Sequence, residues 1–138
     1  MCLVLEARPA TNDIDACFRP SRSIREAARR VSVTEGVEPD WLNDAVKGYL
    51  SASGAFDPYL ELSNLHVSTA TPEYLLALKC LAMRLGAEFH DEEDVRFLLR
   101  YLNITRFHNA LDIIGRYYPP ERIPQNTLYA LEELLGGE

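Results

Sequence analysis

The chain has 138 residues, of which 47% are hydrophobic and 25% charged, and its formal net charge is -7. This length suits one compact domain with a single core, and the composition excludes a disordered protein. The acidic balance excludes a generally basic nucleic-acid-binding surface, and no apolar run approaches the roughly 20 residues that a membrane span needs. Any contact with nucleic acid would have to be local, at arginines such as Arg22, Arg25, Arg29 and Arg30.

The first segment of interest is "RPATNDIDACF", residues 8–18, where Asp13 and Asp15 stand one residue apart in an otherwise apolar run. Side chains at positions i and i+2 of a strand share one face, so both carboxylates would project together. Two such carboxylates repel each other unless a cation neutralises them, and a pair of this kind suits Mg²⁺ with a nucleotide phosphate. The alternative is an ordinary half-exposed strand with its polar residues outward.

Two helices and a hairpin are predicted next. The first helix starts with Ser21 or Ser23 as its N-cap and stops at Gly36, and a second short helix covers "PDWLNDAVKGYL", residues 39–50. After a loop over residues 51–58, the alternation in "YLELSNLHVSTA" predicts a hairpin with one buried face and a Ser63-Asn64 turn.

The second half reads as helical. Thr71 precedes a helix that continues to Gly86, Asp91 opens the next helix, Thr105 opens a third, and the last ends at Gly136. We therefore expect an α+β fold with one small sheet in the first half and a C-terminal helical segment. Residues 1–70 would form the sheet region and residues 71–138 a helical region that packs on it, within one compact domain.

Lys79 is the one charge in the middle of a helix that is apolar nearly all round, which predicts that this helix is buried. Lysine is seldom buried without a partner. Its side chain could extend to the surface along its alkyl stem, or it could reach into a cleft and meet a carboxylate or a phosphate.

The segment "HDEEDVRFL" places Asp91 and Asp94 on one side of a helix. Asp91 is expected to cap the helix, and Asp94 could stabilise the positive end of the helix dipole. Because Val95 and Leu98 face inward, Asp94 could instead point inward and pair with Lys79 or Arg84.

The cysteines and histidines suggest no metal site. Cys2, Cys17 and Cys80 are widely spaced among apolar residues, which predicts reduced, buried thiols in a cytoplasmic protein. The histidines also lack metal-ligand spacing: His66, His90 and His108.

In this order, "RPATNDIDACF", "TPEYLLALKCLAMR" and "DEEDVRFLL" resemble the nucleotidyltransferase-like proteins related to the AbiEii toxins of type IV toxin–antitoxin systems. The resemblance covers about residues 1–102. It implies a small mixed sheet flanked by helices, binding of a nucleoside triphosphate with Mg²⁺, and transfer of a nucleotidyl group to an acceptor, possibly RNA. An antitoxin would be a possible partner.

The resemblance also assigns roles to individual residues. Asp13 and Asp15 match the metal-binding aspartates, and Lys79 matches the lysine that holds the triphosphate. Asp94, or less surely Asp91, matches the acid that follows this lysine, and Arg84 stands where the family often has a basic residue. The third strand carboxylate of the family has no clear equivalent here, although Glu61 is a candidate.

One departure from the family pattern concerns a glycine turn, which precedes the helix before the paired aspartates. The sequence begins at Met1 inside what resembles that helix, so we expect either an upstream start or a shortened member with damaged nucleotide binding. The first is favoured, and the 138-residue chain is expected to have weak or no activity. An exposed core would then favour a homodimer. The alternatives are a non-catalytic binding or regulatory protein that retains the fold, and a helical partner-binding module over residues 105–138.

Overall fold

The computed structural model describes residues 14–83 and 89–136, with side chains described at 14–83 and 92–136. These described residues form five α-helices and four short strands, so the predicted α+β class is confirmed. The strands form two separate two-stranded sheets among the described residues, and not the single mixed sheet that was expected. The chain divides into two compact units, Met1–Leu50 and Ser51–Glu138.

The first unit contains two short parallel strands joined by a helix. Strand β1 covers Ile14–Asp15, helix α1 covers Ser21–Glu35 and strand β2 covers Leu42–Asn43. A 3₁₀ helix over Ala45–Tyr49 follows. Asp15 lies opposite Asn43 in the parallel register. The unit is thus a β–α–β arrangement whose two strands end side by side.

Helix α1 ends where the sequence predicts but begins differently. Gly36 follows it with φ +66°, a left-handed conformation that glycine adopts at low cost, and closes the helix. The predicted capping by Ser21 or Ser23 is wrong, because Pro20 occupies the N-cap position and no side chain caps the helix. The Ser21 hydroxyl instead donates to the carbonyl oxygen of Phe18 at 3.4 Å.

The predicted second helix over residues 39–50 is also wrong in its first half. The backbone there pairs with β1: Ile14 N–H donates to Trp41 O at 2.6 Å, and Ala16 N–H donates to Asn43 O at 2.9 Å. Asn43 Oδ1 accepts from Ala45 N–H at 3.2 Å, a local side-chain bond that competes with helix formation. Strand pairing and this turn therefore override the weak helical pattern.

The second unit begins with the predicted hairpin. Strand β3 covers Phe56–Leu62, strand β4 covers Leu65–Ala70, and the two are antiparallel with Leu62 opposite Leu65. The expected buried face of this hairpin is not present, because every residue of β3 is exposed. A two-stranded sheet buries a face only where another element covers it. Within this unit the Phe56 ring meets the Tyr74 ring edge-on at 5.4 Å.

Four helices complete the second unit. Their bounds are α2 at Pro72–Ala82, α3 at Phe89–Tyr101, α4 at Phe107–Gly115 and α5 at Gln125–Leu135, with a 3₁₀ helix at Pro120–Arg122. The cap at Thr71 is confirmed, since its Oγ1 accepts from Tyr74 N–H at 3.3 Å. Helix α3 begins two residues before Asp91, so the expected capping position of Asp91 is wrong, and α4 begins two residues after Thr105.

The core of the second unit surrounds α2, which packs against α3 and α4, while α5 packs against α4. The predicted burial of α2 is confirmed by six buried residues: Tyr74, Leu76, Ala77, Leu78, Cys80 and Leu81. The hydroxyl of Thr127 on α5, itself fully buried, donates to Cys80 O at 2.6 Å. This bond links α5 to the central helix.

The cysteine expectation is met in part. Cys80 is buried and free, and burial raises the pKa of its thiol to about 12. Cys17 is exposed, so the prediction of a buried thiol there is wrong. Cys2 lies outside the described residues. No described helix combines the length and the apolar character that crossing a membrane requires.

Candidate functional site

Asp15 is the last residue of β1, and its side chain is exposed. The parallel pairing of β1 with β2 places its backbone opposite that of Asn43, the last residue of β2. Two oxygen-bearing side chains therefore stand next to each other at the carboxyl ends of two parallel strands. In open sheets with helical crossovers, this is the edge at which ligands usually bind.

The chain holds the neighbourhood of Asp15 with three side-chain contacts. Asn43 Nδ2 donates to Ile14 O at 3.4 Å, and Asn43 Oδ1 accepts from Ala45 N–H. Arg25 on α1 donates to Asp44 Oδ2 at 2.5 Å, which ties the helix to the residue that follows β2. The arrangement gives the end of β2 a fixed shape and leaves the Asp15 side chain exposed.

Several predicted site residues fall outside the described part of the chain. Asp13 and Arg84 lie outside it altogether, and the side chain of Asp91 is also outside it. The predicted pairing of Asp13 with Asp15 on one face therefore stays a prediction. Glu61 is exposed on β3 opposite His66, in the second unit.

Lys79 and Asp94 form an ion pair within the second unit. Lys79 Nζ on α2 lies 2.9 Å from Asp94 Oδ2 on α3. The Asp94 side chain is 3% exposed and the Lys79 side chain 24% exposed. This pair confirms two of the alternatives from the sequence: Asp94 points inward and pairs with Lys79, and Lys79 meets a carboxylate.

Burial explains why these two charges lie together. An ionised carboxylate cannot be taken out of water without a compensating charge or hydrogen bonds. Val95 and Leu98, its neighbours on the inward face of α3, are fully buried, so Asp94 is drawn inside by the helix on which it stands. The amine of Lys79 meets it there, and its remaining exposure leaves an approach for solvent. The pair thus has a structural function whatever else it does.

The described residues hold no group of three or more histidine, cysteine or acidic side chains that could hold a metal ion. Of the histidines, His66 and His108 are exposed. The side chain of His90 lies outside the described part.

Sequence analysis missed Asn43 and Asp44, since it assigned "PDWLNDAVKGYL" to a helix. A signal was available in that stretch: Leu42 is followed by two residues that favour turns, and then by Gly48. A short strand that ends at Asn43 was compatible with this pattern, although its pairing with β1 depends on residues 29 positions apart. Comparisons of the chain with protein-family models, curated proteins and solved structures found no significant match.

Proposed function

We propose that the chain is a nucleotidyltransferase-like protein, in which Asp13 and Asp15 bind Mg²⁺ together with a nucleoside triphosphate. The observation that carries this proposal is the exposed Asp15 carboxylate at the end of β1, beside the end of the parallel strand β2. The resemblance of "RPATNDIDACF" to the aspartate motif of that family supports the same assignment.

The residues at this edge suit magnesium better than a metal that needs a complete protein cage. Mg²⁺ is usually held by one or two carboxylates together with substrate phosphates and water. Asp15 offers one such carboxylate, and Asp13 would be the second. The absence of a larger metal-ligand group among the described side chains fits that mode of binding. When bound, the cation would neutralise negative charge on the triphosphate and on the departing pyrophosphate.

The reaction would be an in-line transfer. The acceptor would be a hydroxyl, such as one at the end of an RNA. Its oxygen forms a bond to the α-phosphorus, while the bond from that phosphorus to the oxygen shared with the β-phosphorus breaks. Pyrophosphate leaves with the electron pair, and the hydroxyl proton passes to solvent. Asp13 and Asp15 would orient the phosphates for this attack. Lys79 is bound to Asp94, and a contact of Lys79 with the nucleotide stays a prediction. Contributions of Asp94 and Arg84 to nucleotide binding also stay predictions.

The second candidate is a non-catalytic binding or regulatory protein that retains the fold. The Lys79–Asp94 pair favours it, since this pair gives Lys79 a structural function without a nucleotide. The net charge of -7 also disfavours a protein surface that binds anionic ligands in general.

Ligand-induced stabilisation separates these candidates. The full chain would be titrated with ATP and the other nucleoside triphosphates, with and without Mg²⁺, while thermal unfolding is followed. A specific site should add about 2–3 kcal/mol to the free energy of unfolding at a hundredfold excess over Kd. Asp15→Asn should abolish the Mg²⁺-dependent part. Asp40→Asn, at an exposed position of the same unit, is the matched control and should not.

Transfer itself would be measured with α-labelled nucleotides and RNA as the acceptor. We expect weak labelling by the wild type and none by Asp13→Ala or Asp15→Asn. Mg²⁺-dependent stabilisation without labelling of RNA or protein supports the non-catalytic candidate. No stabilisation of the wild type, or equal stabilisation of Asp15→Asn, contradicts the proposed site.

A further inference from the structure

The arginines of the chain are concentrated around one helix. Residues 19–34 contain five arginines against one glutamate, in a protein whose net charge is -7. The chain has 14 lysines and arginines in total, so more than a third of them stand within 12 residues. The arginines are Arg19, Arg22, Arg25, Arg29 and Arg30. An acidic protein therefore carries one local site of positive potential.

Helix α1 presents most of these charges to solvent. Its buried residues are Ala28 and Ser32, which lie one turn apart on a single face. At 100° per residue, Arg30 lies opposite this buried face, and Arg22 and Arg29 lie roughly 100° and 80° from it, on one flank. All three are exposed and fall within an arc of roughly 100°. Arg22 and Arg29 are about 10 Å apart along the helix axis, at 1.5 Å per residue.

The ion pairs of α1 leave this face positive. Arg25 is bound to Asp44 and so belongs to the framework of the unit. Arg22 lies 3.6 Å from Glu26, but their side chains are 93% and 56% exposed, and such surface pairs contribute little. In the described part of the chain, Arg29 and Arg30 are in no ion pair. Arg29 and Arg30 are thus available to an external anion, and among the described residues Arg22 is held only by its exposed pair with Glu26 on the same face.

We infer that the solvent face of α1, formed by Arg22, Arg29 and Arg30, binds the phosphate backbone of an RNA strand. The planar guanidinium fork matches the oxygens of a phosphate group, and its charge is permanent. A span of about 10 Å exceeds the rise of roughly 3.4 Å per phosphate along one strand of a duplex, so the face can meet more than one phosphate. The surface therefore fits a repeating anion better than a single small one.

A membrane surface fits this helix less well. A membrane-binding helix needs large apolar side chains on the face opposite its basic residues, where they enter the lipid. On α1 that opposite face carries Ala28 and Ser32 and is buried within the unit. The indole Nε1–H of Trp41 also donates to Ala28 O at 2.9 Å, which holds this face of α1 against the residue that precedes β2.

This inference rests on the proposed function for its biological meaning, since the RNA would be the acceptor. Helix α1 begins six residues after Asp15 in the same compact unit, so the connecting chain spans at most about 20 Å. The arginine face and Asp15 are therefore close enough in the chain for one RNA strand to reach both. The contact with phosphates would position the acceptor without taking part in the chemistry.

The test is binding of a fluorescent single-stranded RNA to the full chain, followed by anisotropy at several salt concentrations without nucleotide or Mg²⁺. The variant Arg22→Gln/Arg29→Gln/Arg30→Gln keeps good helix formers at all three positions. The matched control, Arg100→Gln/Arg106→Gln/Arg116→Gln, removes the same charge from exposed positions of the second unit. Circular dichroism of both variants verifies that α1 and the remaining helices are retained.

We expect the α1 variant to bind at least tenfold more weakly at 50 mM salt, and the control less than twofold. The slope of log K against log salt should fall by about two in the α1 variant, at roughly 0.7 per lost phosphate contact. Equal weakening of both variants, or no RNA binding by the wild type, overturns the inference. Tighter binding to single-stranded DNA, or binding to phosphatidylserine vesicles in place of RNA, overturns the assignment of RNA.

The same variants separate this inference from the proposed function. The α1 variant should retain Mg²⁺-ATP stabilisation while it loses transfer to RNA. If the wild type binds RNA but shows no response to Mg²⁺-ATP, the proposed function fails and the RNA surface stands. If stabilisation by Mg²⁺-ATP is present and RNA binding is absent, the RNA surface fails and the nucleotide site stands.

Discussion

Lys79 and Asp94 join α2 to α3 by an ion pair of 2.9 Å, in which the carboxylate is almost fully buried and the lysine largely so. The helices around this pair are otherwise held by apolar side chains, including the fully buried Leu76, Val95 and Leu98. Since a buried charge depends on its partner, the two residues should behave as a unit when either is changed.

Loss of one member of this pair should be costly. We expect Lys79→Met to lower the free energy of unfolding by about 2–4 kcal/mol, because it removes the cation that lies 2.9 Å from the buried Asp94 carboxylate. The double variant Lys79→Met/Asp94→Leu, which removes both charges, should recover most of that loss. Urea unfolding of the wild type, both single variants and the double variant measures this coupling.

An exposed ion pair provides the control for this cycle. Arg96 and Glu92 lie 3.4 Å apart on α3 with about half of each side chain exposed, so Arg96→Gln should cost less than about 0.5 kcal/mol. Equal effects of Lys79→Met and Arg96→Gln would show that the buried pair contributes little.

Gly54 packs directly on the ring of Tyr74, which is fully buried. A Cβ at position 54 would lie 2.6 Å from Tyr74 Cε2 and 2.8 Å from its hydroxyl oxygen. The ring cannot move away easily, because the same hydroxyl accepts from Ser51 N–H and the ring meets those of Phe56 and Tyr117. We expect Gly54→Ala to destabilise the protein by about 1–3 kcal/mol.

A second glycine tests whether this effect comes from the contact. At Gly115, the last residue of α4, an added Cβ meets nothing within 4 Å. Gly115→Ala should therefore be neutral or stabilise the protein by up to about 1 kcal/mol. Thermal unfolding of the two variants in parallel measures their stabilities. An equal loss of stability in both would contradict the steric explanation.

Thr127 should matter through its hydroxyl. It is fully buried on α5 and donates to Cys80 O at 2.6 Å. Thr127→Val keeps the shape but removes the donor, and we expect it to cost about 1–3 kcal/mol because the buried carbonyl loses its bond. Thr105→Val, at an exposed position, is the control and should change stability by less than about 0.5 kcal/mol. Similar values for the two variants in urea unfolding would contradict this role.

The elements that the sequence predicted correctly are those with strong local signals. Gly36 and Gly136 both adopt positive φ at helix ends, at +66° and +78°, and the Thr71-Pro72 pair opens α2 as expected. The hairpin turn at Ser63-Asn64 is likewise local. Patterns of this kind depend on a few adjacent residues, so they can be interpreted without knowledge of the fold.

The errors concern contacts between distant parts of the chain. Strand β2 exists because Leu42 pairs with Ile14, and no local pattern contains that information. The burial of the hairpin was inferred from alternation, which shows that a face is apolar but not that anything covers it. The Lys79–Asp94 pair could be named as one alternative from inward-facing neighbours, but its formation depends on the packing of α2 against α3, which no local pattern shows.

Alkaline pH should destabilise the protein through Cys80. Burial raises the pKa of this thiol from 9.0 to about 12, so the folded state keeps a proton that the unfolded state releases. The contribution is fully present below pH 9 and is lost as the pH rises toward 12, at up to about 1.4 kcal/mol per pH unit. Burial and the neighbouring Tyr74 also raise the pKa of Tyr118, which adds to the loss above pH 10.

The slope of stability against pH isolates the thiol. Cys80→Ala should reduce the slope of the unfolding free energy against pH by up to about 1.4 kcal/mol per pH unit between pH 9 and pH 11, the value for one proton. This holds whatever the effect of the substitution on stability at pH 7. Urea unfolding of the wild type and Cys80→Ala from pH 7 to pH 11 measures the two slopes. An unchanged slope in Cys80→Ala would mean that the thiol ionises in the folded state, and hence that water reaches the centre of α2.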